Sequence, residues 1–136
     1  MANWVAAQNK VTKDYLATLP GRAVFRERIA AYFDYDRTSS PYKRGDMYFY
    51  TRNSGFQNQG SLVVREGVDR AERVPTDPNT WSDDGATALA EWKPSADGAH
   101  LADGVQGGGT DWRTISVLDV ATGEVLVRAS GRLVGH

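Results

Sequence analysis

Gly107, Gly108 and Gly109 stand directly ahead of Thr110, Asp111 and Trp112, and such a glycine run is where a bound phosphate would first be sought. A nucleotide P-loop takes GxxxxGK followed by Ser or Thr, because the lysine and the hydroxyl contact phosphate and magnesium. No lysine lies near these glycines, no helical pattern follows them, and no GxGxxG fingerprint bridges a strand and a helix. They read as permissive backbone in a turn. Carboxylates are the next candidates: Asp83 and Asp84 sit beside Gly85, and Asp97 and Asp119 adjoin other turns. General acid–base chemistry needs two carboxyl groups poised around a substrate with their pKa values set apart. Adjacent aspartates in a glycine-containing loop read instead as turn caps, and none of these runs has the ligand spacing and terminal glutamate of an EF-hand. Serine chemistry needs a nucleophile, an oriented base and an oxyanion site. There is no GxSxG elbow; His100 opens an apparent strand, and His136 is the last residue, with no backbone after it to aim its ring.

No catalytic, cofactor-binding or metal-binding residue is therefore assigned, and no cofactor is expected. With no cysteine among the 136 residues, disulfides, thiolate metal sites and a cysteine nucleophile drop out, and two histidines are too few for a multi-histidine metal site in one chain. Sixteen basic against seventeen acidic residues leave a formal net charge of -1, too little positive field to recruit nucleic acid or an anionic membrane. Trp81, Trp92, Trp112 and the aromatic run at 48–50 are expected to pack against strands rather than to form a ligand platform. No early apolar stretch resembles a signal peptide and none approaches the roughly 20 residues of a membrane span. Cytoplasmic placement is the default expectation, and a periplasmic one stays open should the natural N-terminus lie upstream.

The elements that would position these groups change along the chain. In NWVAAQNKVTKDYLATL, the residues Trp4, Val5, Val11, Tyr15, Leu16 and Leu19 recur at spacings of about three, four and seven, one apolar stripe of a helix with Asn3 as its N-cap. Pro20-Gly21 breaks it, and Val24, Phe25, Ile29, Tyr32 and Phe33 repeat the pattern in a second helix, with Glu27 and Arg28 on wetter faces. DRTSSPYKRGD is polar and reads as a connector. MYFYTRNSGFQNQGSLVVRE then reads as strand, structured loop around Asn53-Ser54-Gly55, and strand from Ser61 to Arg65. Short strands are expected at 72–74, 87–92 and 100–105, the last two joined by a turn at Asp97-Gly98 that requires positive φ. TISVLDV alternates Ile115 and Val117, with Leu118 or Val120 as further members of its apolar face, and ATGE turns into VLVR. ASGRLVGH is weakly patterned and reads as an abrupt end. Six or seven short strands at this spacing suit propeller blades.

Taken in order, WVAAQNKVT, YLATLPGR, YFYTRNSGFQNQ, DPNTWSDDGATAL, SADG and GGTDWRTISVLDVATG resemble the N-terminal part of prolyl oligopeptidases, over residues 3–126. DPN or SADG alone is weak; the ordered set, above all Asn53 through Gln59 with Asp111-Trp112 and Thr114, is specific. The resemblance implies a mainly β fold with N-terminal helices, a partial β-propeller of about two blades from a seven-bladed ring. Residues 1–36 would be a helical lead-in and 37–136 an incomplete propeller segment. Tyr48–Tyr50 and Ser61–Arg65 would be first-blade strands, and Asp77–Asn79 with Trp81–Leu89 the passage to the next blade. In that family the propeller covers an α/β-hydrolase domain, admits short peptides, and the full enzymes cleave after proline.

Two departures stand out: Asp103 occupies a strand position where the family usually has an aromatic, and LVRASGRLVGH leaves the expected run into the next blade. Either is expected to weaken sheet continuation. The family's hydrolase serine, aspartate and histidine have no counterpart, so no autonomous hydrolysis is expected, and a truncated gene product or an excised segment is expected. The partners implied are a missing propeller or hydrolase fragment or a second copy. The alternatives are a module that self-associates through open sheet edges, and non-catalytic binding of short proline-containing peptides.

Overall fold

The computed structural model describes residues 2–108 and 110–132, which divide into two compact units, 1–35 and 36–136. The first unit holds two helices, α1 (Ala2–Ala17) and α2 (Arg22–Phe33). Asn3 lies inside the first turn of α1 rather than capping it. Between the helices Gly21 takes φ +82°, a left-handed conformation that only glycine adopts without a steric penalty, and its carbonyl accepts from Phe25 N at 2.9 Å to start α2. The apolar stripes predict a buried face, yet neither helix buries a residue: Trp4 and Phe25 are 68% and 70% exposed. Periodicity is a local property, whereas burial needs a partner surface.

The second unit contains nine strands among its described residues, not six or seven. Five form one antiparallel sheet: β1 (Asp36–Thr38) and β2 (Tyr42–Arg44) both pair with β3 (Met47–Ser54), followed by β4 (Ser61–Glu66) and β5 (Arg73–Thr76). The polar connector expected before Met47 thus supplies two edge strands. Main-chain pairing with β3 recruits them, and Arg37 fastens β1 by donating to Asn53 Oδ1 and Gly55 O at 2.9 and 3.0 Å. β5 begins one residue later than expected and runs through Pro75 to Thr76. As an edge strand it tolerates a residue with no N–H to donate.

The other four strands form a second sheet, the meander β6 (Thr87–Pro94), β7 (His100–Gly107), β8 (Trp112–Asp119) and β9 (Val125–Arg132). Asp103 does not break its strand: it pairs in register with Trp92 and Ser116. Among the described residues β9 continues through Ala129 to Arg132 against Trp112, with a register shift between Val117 and Leu118 of β8, because the backbone of β8 offers pairing whatever side chains β9 carries. Residues 133–136 of the atypical tail, like Gly109, lie outside the described residues.

Strand parity decides which side chains form the core. Phe49 faces Val64 across β3 and β4, with Leu62 on the same face, and these three meet Leu101 and Leu118 of the second sheet and Val120 just after it. Each such burial contributes about 1.5–3 kcal/mol. Trp92 closes the cluster, its ring 6.4 Å from Phe49 and 6.3 Å from Tyr42 between centroids. On β8 the inward residues are Ser116 and Leu118, with Val120 just beyond the strand; Ile115 and Val117 point the other way. The Leu101–Leu118 register sets that choice, since a one-residue slip would exchange the faces.

Candidate functional site

His100, Ser95 and Asp97 share one tight turn between β6 and β7. Ser95 Oγ donates to Asp97 Oδ1 at 2.5 Å and accepts from the backbone N–H of His100 at 2.9 Å. The imidazole does not stand between hydroxyl and carboxylate, so it has no route to take the serine proton. Asp97 is held below the usual carboxylate range by the Ser95 hydrogen bond first, then by the Ala99 N–H, with a smaller contribution from the charge of His100. This is a capped hairpin turn, completed by Gly98 at φ +77°.

The other aspartates behave alike. Asp84 accepts from Ala86 N at 2.9 Å and Asp119 from Thr122 N at 2.8 Å, and these backbone donors lower each carboxyl. Asp83 is exposed. No group of three His, Asp or Glu side chains suited to a metal ion occurs among the described residues, and no helix there is long and apolar enough to cross a membrane. Gly107 ends β7 and Gly108, at φ +45°, turns the chain. Trp112 is 60% exposed and so packs less than expected, whereas Trp92 belongs to the core.

The polar groups that do converge join the two sheets. Gln59 spans the gap: its Nε2 donates to Thr87 O at 2.6 Å and Gly85 O at 3.4 Å, while its Oε1 accepts from Leu89 N at 3.3 Å. Its own N–H and carbonyl are bonded by the Asn79 side chain at 3.1 and 3.0 Å. Asn79 lies in a single 3-10 turn, Pro78–Thr80, whose N-cap is Asp77. Burial pushes the Asp77 carboxyl up, but hydrogen bonds from Asn79 and Ser61 outweigh it and hold the group below its usual range.

Two further contacts complete the junction. Arg73 donates to the carbonyls of Val120 and Ala121, each at 2.7 Å. The turn between β2 and β3 meets the β6–β7 turn backbone to backbone. A Cβ on Gly45 would lie 2.4 Å from Asp97 O, and one on Gly98 would lie 2.5 Å from Arg44 O. Two antiparallel sheets face to face, joined by a short passage that is itself hydrogen-bonded into the junction, are two successive propeller blades.

The family model for the N-terminal β-propeller domain of prolyl oligopeptidase matches residues 1–130. The chain belongs to the prolyl oligopeptidase family. The prolyl endopeptidase of Elizabethkingia miricola is 34% identical over 119 residues, spanning 88% of this chain and 17% of that protein. The prolyl oligopeptidase dbiP of Dendrothele bispora is 31% identical over 125 residues, 84% of this chain and 17% of that one. A solved structure from a study of two prolyl endopeptidases superposes with a TM-score of 0.83 at 34% identity, covering 91% of this chain and 18% of that chain. Prolyl oligopeptidase B of Galerina marginata, bound to a 25-residue macrocyclization substrate, gives 0.77 at 27%, covering 89% and 18%.

The chain thus spans less than a fifth of these relatives, and its match lies in the prolyl oligopeptidase propeller and not in the catalytic domain. Among the junction residues, Gln59 and Asn79 fall inside the runs that carry the resemblance, NSGFQNQ and DPN. Arg73 does not, and no local signal marks it: its partners are carbonyls nearly fifty positions away.

Proposed function

We propose that this chain is the opening propeller segment of a proline-specific serine peptidase, and that these 136 residues by themselves hydrolyse no peptide. The observation that carries the reading is the far face of the second sheet. Ile115 and Val127, on the side away from the core, are 42% and 59% exposed, alongside Val117 and Ala129. A blade inside a ring has such a face because the next blade covers it. The proposed partner is therefore the remainder of a propeller together with its hydrolase domain, which would supply the nucleophile, the base and the oxyanion site of acyl transfer. Short proline-containing peptides are the substrates proposed for that whole protein.

The test is turnover of a chromogenic Xaa-Pro substrate by the chain alone, and by the chain mixed with the remaining domains of the Elizabethkingia relative. No turnover alone, with stable association in the mixture, is the expected result. Cleavage that stays with the purified chain through stringent washing would overturn the proposal of inactivity.

The same exposed face supports a second reading, self-association, aided by the open edge of β9. Light scattering after size-exclusion chromatography at several concentrations tests it: a folded monomer throughout counts against it. Peptide binding without cleavage predicts saturable titration with short proline peptides, and its absence removes that reading. A cytoplasmic location remains part of the proposal.

A further inference from the structure

The edge strand β5 is lightly held. It has four residues, and its register with β4 rests on Leu62–Thr76 and Val64–Arg73, with a shift between them. Its two ends reach across to the other sheet by different means. Arg73 grips the carbonyls of Val120 and Ala121, just past β8, while at the far end Thr76 Oγ1 donates to Asp103 Oδ2 at 3.3 Å. Asp103 is 5% exposed and takes part in no ion pair among the described residues. Its register neighbours, Trp92 on β6 and Ser116 on β8, carry no charge. A crevice of about 590 Å³ lies between β5 and this face of the second sheet, and the other charged groups lining it are Asp77 and Arg128.

A carboxylate sealed from water without an ion-pair partner is costly, so such a group either keeps its proton or draws water to itself. Protonated, Asp103 is a neutral donor and acceptor, well matched to hydroxyl neighbours. Ionised, it puts a charge beneath Thr76 at the loose end of β5. Burial pushes the Asp103 carboxyl up, and the opposing pulls of Thr76, Ser116 and Arg128 do not cancel that push. Against its own burial, hydrogen bonds from Asn79 and Ser61 hold Asp77 low, so Asp77 stays ionised while Asp103 titrates. We propose that Asp103 is a proton-operated latch on β5: protonated it keeps the strand closed, and ionised it lets the Thr76 end lift so that water from the crevice reaches the charge. The Arg73 contacts, made to backbone carbonyls, are indifferent to this proton and serve as the hinge. Closure binds a proton, so acid favours it, and it is lost as pH rises through the titration of the closed state. The latch does not depend on the proposed hydrolase domain.

Amide hydrogen exchange of β5, with the Phe49 amide of β3 as reference, tests this in the intact chain and in Asp103→Asn from about pH 4 to pH 8. The asparagine keeps the shape without the charge, and the ratio of parent to variant rates at each pH removes the intrinsic pH dependence of exchange. A constant ratio is expected in acid. As pH rises, the parent should exchange faster at β5, by about tenfold for each pH unit separating the closed-state from the open-state titration of Asp103. At neutral pH the β5 amides of the parent should also exchange faster than Phe49, which waits for the core to open. A ratio that stays constant over the whole series, or β5 exchanging no faster than Phe49, overturns the proposal. Should the variant fail to fold, the Asp103 carboxyl carbon of the unaltered chain decides the matter by NMR over the same series. A midpoint above that of an ordinary aspartate, with the Thr76 amide shifting alongside it, is expected; a midpoint at or below the ordinary value overturns the latch.

Discussion

Replacing Gln59 by alanine should loosen the two sheets from each other without touching the core of either. The side chain makes three hydrogen bonds across the junction, at 2.6, 3.4 and 3.3 Å. A hydrogen bond contributes about 0.5–1.5 kcal/mol net, so one short bond at the upper end and two long ones at the lower end give about 2–3 kcal/mol. Gln59→Glu sharpens the test. Its carboxylate still accepts from Leu89 N, but it faces the carbonyls of Thr87 and Gly85, acceptor against acceptor. That environment raises the folded pKa of the new carboxyl above its unfolded value near 4.3. Stability is then retained below the unfolded pKa, where the protonated group donates to Thr87 O, and is lost as pH rises through the folded pKa. Urea unfolding followed by tryptophan fluorescence at pH 4 and pH 7, always against the unaltered chain, reads both effects. A cost below about 0.5 kcal/mol for Gln59→Ala, within the range of ordinary surface changes, together with a pH-independent Gln59→Glu, would refute the reasoning.

The turn contacts separate two costs of adding a Cβ. Gly98→Ala meets both a positive φ and a carbonyl at 2.5 Å, whereas Gly123→Ala meets the positive φ alone with nothing within 4 Å, so the first should lower the melting temperature clearly more than the second, which costs about 1–2 kcal/mol. Asp77→Ala removes the acceptor for Ser61 and for two Asn79 donors and should cost about 1–3 kcal/mol at neutral pH. Because that carboxyl is depressed in the folded chain, its contribution is present above the unfolded pKa and fades as pH falls, so the difference between variant and parent in chemical denaturation should shrink in acid. The Tyr50 phenol is raised by burial and by its hydrogen bond to Glu72, so its contribution is present below its unfolded pKa and lost as pH rises through the folded one. Tyr50→Phe should abolish that part of the alkaline loss, seen by denaturation between about pH 9 and 12.

What the sequence disclosed follows the range of the forces involved. Turns were legible because their requirements are local: Asp97-Gly98 and Ala121–Glu124 carry their own caps and positive φ. The central strands were legible from aromatic and β-branched runs. β1 and β2 were not, since their residues are polar and only the exposed backbone of β3 makes them strands. The inward face of β8 stayed open because TISVLDV offers apolar residues at both parities, and pairing with Leu101 selects one. The helical stripes were read correctly as helices, but their exposure depends on surfaces a periodic pattern does not contain. As for the candidate site, Gln59 looked like one polar loop residue among several, and Asp103 looked like a defect in a strand. Only the packing of two sheets makes one a clasp and the other the floor of a crevice.

The contacts between the sheets also fix an angle. Gln59 holds one end of β6, the Gly45–Gly98 contact holds the other, and Arg73 grips the end of β8, two strand spacings or about 10 Å to the side. Three points that do not share a line allow neither sheet to roll or pitch against its neighbour. In any ring of blades, a tilt between one pair is carried by every blade placed after it, and the ends meet only if the steps together close. Substitutions at this junction would therefore displace whatever packs beyond the second sheet by an amount that grows with its distance from the junction.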